Sequence, residues 1–106
     1  MSAVKLMVLY PQPTNAAQFE KDYQEHLALF HQKMKIPADQ RPYTVTKMLP
    51  GPDGVAPYYQ MFSFTFPTMD ALQQTLASEE MQAVASDANR ISTGGAPTML
   101  IGNDAL

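Results

Sequence analysis

The segment "YYQMFSFTF", residues 58–66, decides the fold. Aromatic residues dominate it, it alternates with a period of two, and turn formers bound it on the N-terminal side, all of which mark a β-strand. Phe62, Phe64 and Phe66 share one face, and Tyr59 and Met61 lie on the other with Ser63 and Thr65. Both faces therefore carry large apolar side chains, and a sheet built on this strand needs cover on both sides.

Working outward, "YTVTKML" (43–49) is β-branched and alternating, and pairs with 58–66 as a hairpin across "PGPDGVAP". That loop exceeds the usual two to five residues and reaches beyond the sheet, where it can form a wall of a binding site. "AVKLMVLY" (3–10) is a further strand, ended by "PQPTN", and "TMLIG" (98–102) is the last. A helix starts at Thr14 or Asn15, with Gln18 in the position of a weak capping box, and runs to about Met34, before Pro37 and Pro42 block it. Thr68 caps "TMDALQQTLAS", with Asp70 suited to the helix dipole, and Ser78 opens "SEEMQAVASDANRI". "STGGAP" lacks the context and spacing of a phosphate loop and reads as a turn.

The order is that of the split βαβ, ferredoxin-like arrangement: an α+β domain, βαββαβ, with one four-stranded antiparallel sheet and its helices on one face. Residues 1–106 make a single domain. Helices on one side leave the second apolar sheet face bare, and the economical cover is a second copy packed sheet to sheet as a homodimer. Composition points the same way: 16% of residues are charged and 45% apolar, against roughly 25% charged in an average soluble protein.

The net charge of −3 comes with no Lys/Arg cluster, so nucleic acid is set aside. No apolar run approaches the ~20 residues of a membrane span. The N-terminus reads as a strand and not as a signal peptide, so the expected location is the cytoplasm. With no cysteine there is no disulfide, thiolate nucleophile or zinc-thiolate site. Metal binding is not expected, because His26 and His31, five apart on a helix, diverge. The eight methionines suit either a deformable core or a pocket for irregular apolar ligands.

On the first helix Phe19, Tyr23, His26, Leu27 and Phe30 form one stripe at 100° per residue. His26 lies near its centre, whereas His31 falls at the boundary and reads as surface or rim. An inward imidazole either fills the core with its nitrogens satisfied, or faces a cavity as acid/base or ligand anchor. Tyr23, one turn away, can orient the imidazole or a ligand. Tyr10, Tyr43 and Tyr59, near strand ends, and Phe30 are candidate ligand contacts.

"VLYPQPTNAAQFEKDYQEHLALF" (8–30) resembles the opening of EthD-type proteins of the dimeric α+β barrel superfamily. A strand ending in Tyr-Pro (Tyr10, Pro11) leads to a helix carrying Phe19, Tyr23 and, three residues later, His26. One departure is that "HLALF" lacks the proline such families often have after the histidine. The resemblance implies a sheet-to-sheet dimer forming an α+β barrel, a link to bacterial catabolism through ethyl tert-butyl ether degradation, and a small apolar or aromatic metabolite as ligand. The residues and the resemblance together read as an EthD-like small-molecule-binding protein, and any reaction it runs is cofactor-free proton transfer of isomerase, cyclase or lyase type using His26. The alternatives are a non-catalytic accessory protein of an oxygenase system and a cofactor-free monooxygenase. Haem ligation by His26 is a further reading, and it requires room for a porphyrin beside a buried stripe position.

Overall fold

The computed structural model describes residues 3–104. Its elements run β1 (Val4–Pro11), α1 (Ala16–Met34), β2 (Tyr43–Lys47), β3 (Tyr58–Phe66), α2 (Met69–Ala77), α3 (Glu79–Ile91) and β4 (Thr98–Gly102). The sheet is antiparallel with strand order β2-β3-β1-β4, which makes the fold ferredoxin-like and α+β. The capping residues act as their chemistry dictates. Asn15 accepts from the Gln18 backbone N–H, Thr68 from Ala71, and Ser78 from Met81. Gln18 does not close the capping box, because its side chain bonds Asp22 instead. Ser78 separates two helices where a single second one would suffice for the topology.

One sheet face meets the helices through Val4, Leu6 and Tyr10 of β1 and Phe62 and Phe66 of β3, all buried. From α1 come Phe19, Tyr23 and Phe30, and from α2 and α3 Leu72, Met81, Val84, Ala88 and Ile91. Burial of side chains of this size contributes about 1.5–3 kcal/mol each. The other sheet face presents Lys5, Met7 and Leu9 of β1 opposite Thr65, Ser63 and Met61 of β3, with Leu100 of β4 beside Met7.

Tyr59 is not on that outer face. The register shifts at the end of β1, where Tyr10 faces Gln60 and Pro11 faces Tyr58, leaving Tyr59 as the extra residue of a bulge. A bulge lets two successive side chains leave a strand on the same side. The Tyr59 ring accordingly packs edge-on against Phe19 at 5.4 Å, and its hydroxyl donates to Glu20 of α1. Glu20 also pairs with Lys47, whose ammonium lies 5.2 Å over the Tyr59 ring, so this corner ties α1 to β2 and β3.

The turn before β4 is locked to the β1–α1 loop: the Thr14 N–H donates to Thr93 Oγ1, and a Cβ on Gly94 would lie 1.8 Å from the Gln12 carbonyl oxygen. Gly94 of "STGGAP" thus serves close backbone approach, and Gly95 supplies a positive φ of 137°. Gly94→Ala is expected to destabilise the fold by about 3 kcal/mol, because neither backbone segment can yield without disturbing β1 or β4. Urea unfolding checks this, and an unchanged midpoint would show that the two loops are not locked.

Candidate functional site

His26 and Phe30 both face inward from α1, as the stripe requires, and the two are brought together with Tyr10 at one cavity. It measures about 280 Å³ and lies between α1, α3 and the sheet, with Leu6, Val8 and Phe62 below and Met81, Val84 and Ala88 to the side. The walls are mostly apolar, with Gln82 and Asn89 of α3 as further polar residues.

The imidazole is held by α3. His26 Nδ1 lies 2.7 Å from Asp87 Oδ2, and the other carboxylate oxygen accepts from Arg90 Nε at 2.8 Å. Burial pushes the His26 pKa below its ordinary value; the Asp87 charge works against this but does not overcome it, and Arg90 reinforces it. Burial alone would raise the Asp87 carboxyl, yet the hydrogen bonds from His26 and Arg90 outweigh it and hold the group below the usual carboxylate range. At neutral pH the pair is therefore carboxylate and neutral imidazole. The proton sits on Nδ1, because a carboxylate can only accept. Nε2 then carries the lone pair, and it makes no hydrogen bond within the described residues.

Tyr10 adds a donor. Its hydroxyl makes no hydrogen bond within the described residues, and burial and then the Asp87 charge push its pKa upward, so the proton stays on. The ring is fixed edge-on against Phe19 and Tyr23, at 5.4 and 5.6 Å. A neutral base and a neutral O–H donor in an apolar cavity can move a proton from carbon while stabilising charge that develops on oxygen.

The remaining candidates fall elsewhere. Tyr23 stacks on Phe19 and its ring centroid lies 5.7 Å from that of His26, but the side-chain hydrogen bond that holds the imidazole is the one to Asp87. Tyr43 donates to His31 Nε2 at 2.6 Å, and His31 Nδ1 faces the Ile36 and Pro37 carbonyls at 3.2 and 3.1 Å. His31 is thus buried and not at the rim: it fastens the end of α1, whose last turn closes through Lys35 with φ +58°. Tyr59 lines neither this cavity nor the one beside Tyr43.

Sequence reasoning missed Asp87. Its signal was present, since Val84, Ala88 and Ile91 mark the inward stripe of α3 and a carboxylate three residues after Val84 borders it. The pairing with His26 depends on how α1 and α3 pack, which no local pattern gives.

The titration has a sign. An unfolded imidazole takes a proton near 6.5, whereas the folded one resists, so the unfolded state binds more protons as pH falls below 6.5 and the fold loses stability down to the folded pKa. Asp87, held below its ordinary 3.8, adds a further loss of the same sign at more acid pH. The melting temperature is expected to fall between about pH 7 and about pH 5, and to fall less in His26→Ala. An equal decline in both chains would refute a depressed His26 pKa.

No helix is long and apolar enough to cross a membrane among the described residues. No functionally curated protein matches the chain significantly. Among solved structures, an EthD family protein from Bacillus halodurans is 28% identical with a TM-score of 0.79, over 96% of this chain and 98% of that one. A dimeric ferredoxin-like protein of unknown function from Jannaschia is 14% identical with a TM-score of 0.66, covering 98% of this chain and 99% of that one. Hydroxynitrile lyase from Passiflora edulis is 13% identical with a TM-score of 0.69, over 97% of this chain and 94% of that one. The last two similarities are of fold. The EthD domain family model matches residues 11–94, a span that runs from the end of β1 through Tyr23, His26 and Asp87 to the locked Gly94, and the chain belongs to the EthD family.

Proposed function

We propose that the chain binds a small, largely apolar molecule in the cavity between α1, α3 and the sheet and moves a proton on it, with His26 as the acid/base. The observation that carries this is the 2.7 Å contact of His26 Nδ1 with Asp87, which leaves Nε2 as the lone-pair nitrogen of a residue lining an apolar cavity. In the step so supported, Nε2 takes a proton from carbon, Asp87 stabilises the resulting imidazolium, and the Tyr10 O–H donates to the substrate oxygen on which charge collects. Returning the proton to another atom completes an isomerisation or cyclisation, and loss of a leaving group completes an elimination. The chain's role would lie in bacterial catabolism, in the cytoplasm, without a bound cofactor.

The functional unit is a homodimer formed through the outer sheet face. Met7, Leu9 and Met61 are half-buried there and Leu100 is 46% exposed. The accessible surface is 6737 Å², where a monomer of this mass is expected to show about 5,900 Å². Leu49 and Val55 of the loop between β2 and β3 are also exposed, at 77% and 74%. The Jannaschia relative, described as dimeric, has the same fold.

The test is base-catalysed ring opening of 5-nitrobenzisoxazole, an apolar carbon acid that reports a positioned base, by the parent chain and by His26→Ala. Binding without turnover in the parent would leave a binding protein and remove the catalytic role.

A further inference from the structure

The cavity beside His26 has one open side. Of its lining residues only Gln82, Ala85 and Asn89, on one face of α3, and Met99 of β4 are exposed, and all the others are buried or half-buried. The opening is therefore a slot between α3 and β4.

An apolar strip continues outward from that slot. Met99 stands opposite Val8 and Ile101 opposite Leu6, so both point to the helix side of the sheet, as those β1 residues do. Leu6 is 3% exposed, whereas Met99 and Ile101 are 54% and 44% exposed, because β1 is the only element that β4 packs against among the described residues. A dimer through the outer sheet face leaves the two uncovered, since it uses the other side. The strip starts at Met99 in the cavity wall and reaches Ile101 about 7 Å further on, two residues of strand.

The cavity itself limits what it can enclose. Its volume of about 280 Å³ lies just below the roughly 300–1,000 Å³ of sites that enclose drug-sized ligands, so it holds a head group and not a long molecule. No carboxylate, ammonium or guanidinium lines it among the described residues, so a charged head would be buried without a partner.

We propose that the ligand of the His26 site is an elongated neutral molecule, an alkyl chain with a carbonyl at one end. The carbonyl head sits in the cavity, where the Tyr10 hydroxyl can donate to it, and the chain leaves between α3 and β4 to lie on Met99 and Ile101. This rests on the reading of that cavity as a ligand site, and not on proton transfer there.

The test is an NMR titration of the full chain with 2-pentanone, 2-heptanone, 2-nonanone and nonanoate. All three ketones should shift Ala88 and Phe62 saturably, and only the longer two should also shift Met99 and Ile101. Affinity should rise about twofold per added methylene, half the logarithmic gain of full burial, and nonanoate should bind at least about tenfold more weakly than 2-nonanone. Ile101→Ser, an exposed edge position, should lose most of the gain from 2-pentanone to 2-nonanone. Ketones that bind in the cavity with no dependence on length, or nonanoate that binds as well as 2-nonanone, would overturn this proposal and leave the cavity a ligand site. Absence of any shift in the cavity would overturn both. Shifts of Met99 and Ile101 that follow protein concentration instead of ligand would assign the strip to a second copy and overturn the proposal as well.

Discussion

Replacing His26 with alanine is expected to lower kcat/KM for 5-nitrobenzisoxazole opening by about 10²–10⁴, the usual worth of a positioned general base. The loss should appear in kcat, because the imidazole contacts the proton in flight and contributes little to binding an apolar ring. The variant should still fold: Asp87 keeps its bond to Arg90, and the surrounding walls of Tyr10, Phe30 and Phe62 are unchanged. Asp87→Asn should fall between the two chains, since an amide can still accept from Nδ1–H but cannot stabilise the imidazolium. The parent's rate should rise with pH through an ionisation below 6.5 and then level off, because the depressed His26 pKa leaves the base neutral above it. A rate that survives His26→Ala, or one that keeps rising above neutral pH, would assign the chemistry to another group.

Exchanging Leu9 for glutamate is expected to convert the proposed homodimer to a monomer. Leu9 faces Met61 across the β1–β3 pair and Thr98 across the β1–β4 pair, on the outer face of a strand flanked on both sides. A carboxylate buried there has no partner, and a two-fold interface takes two copies of it, so association should weaken by about 10²–10³-fold or more. The helix-side core is untouched, because side chains alternate along β1 and Val8 and Tyr10 keep their places. Light scattering on the parent and on Leu9→Glu gives the comparison. A parent chain already monomeric at high concentration would remove the sheet-to-sheet dimer.

The local signals translated directly into structure. Strand 58–66 and strand 98–102 form over the residues read from their alternation, and Asn15, Thr68 and Ser78 cap the helices whose starts they mark. His26 faces inward because a period of 3.6 places it on the stripe of Phe19, Tyr23 and Phe30. Features that depend on long-range packing were not legible. Tyr59 left its expected face because a bulge opposite Tyr10 interrupts the period of two. His31 became buried because the chain after α1 folds back and offers its carbonyls. Asp87 gains meaning only once α3 is packed against α1. The candidate tyrosines, alike in sequence, were separated by the fold into a cavity donor (Tyr10), a ring stacked on Phe19 (Tyr23), a histidine clamp (Tyr43) and a corner tie (Tyr59).

The central claim is that Asp87 fixes His26 as a neutral base with its lone pair on Nε2. Nitrogen-15 NMR of the imidazole reads this directly. At neutral pH the account predicts a protonated Nδ1 and an unprotonated Nε2, with titration below 6.5. An Nε2–H tautomer, or an imidazolium at neutral pH, would contradict it.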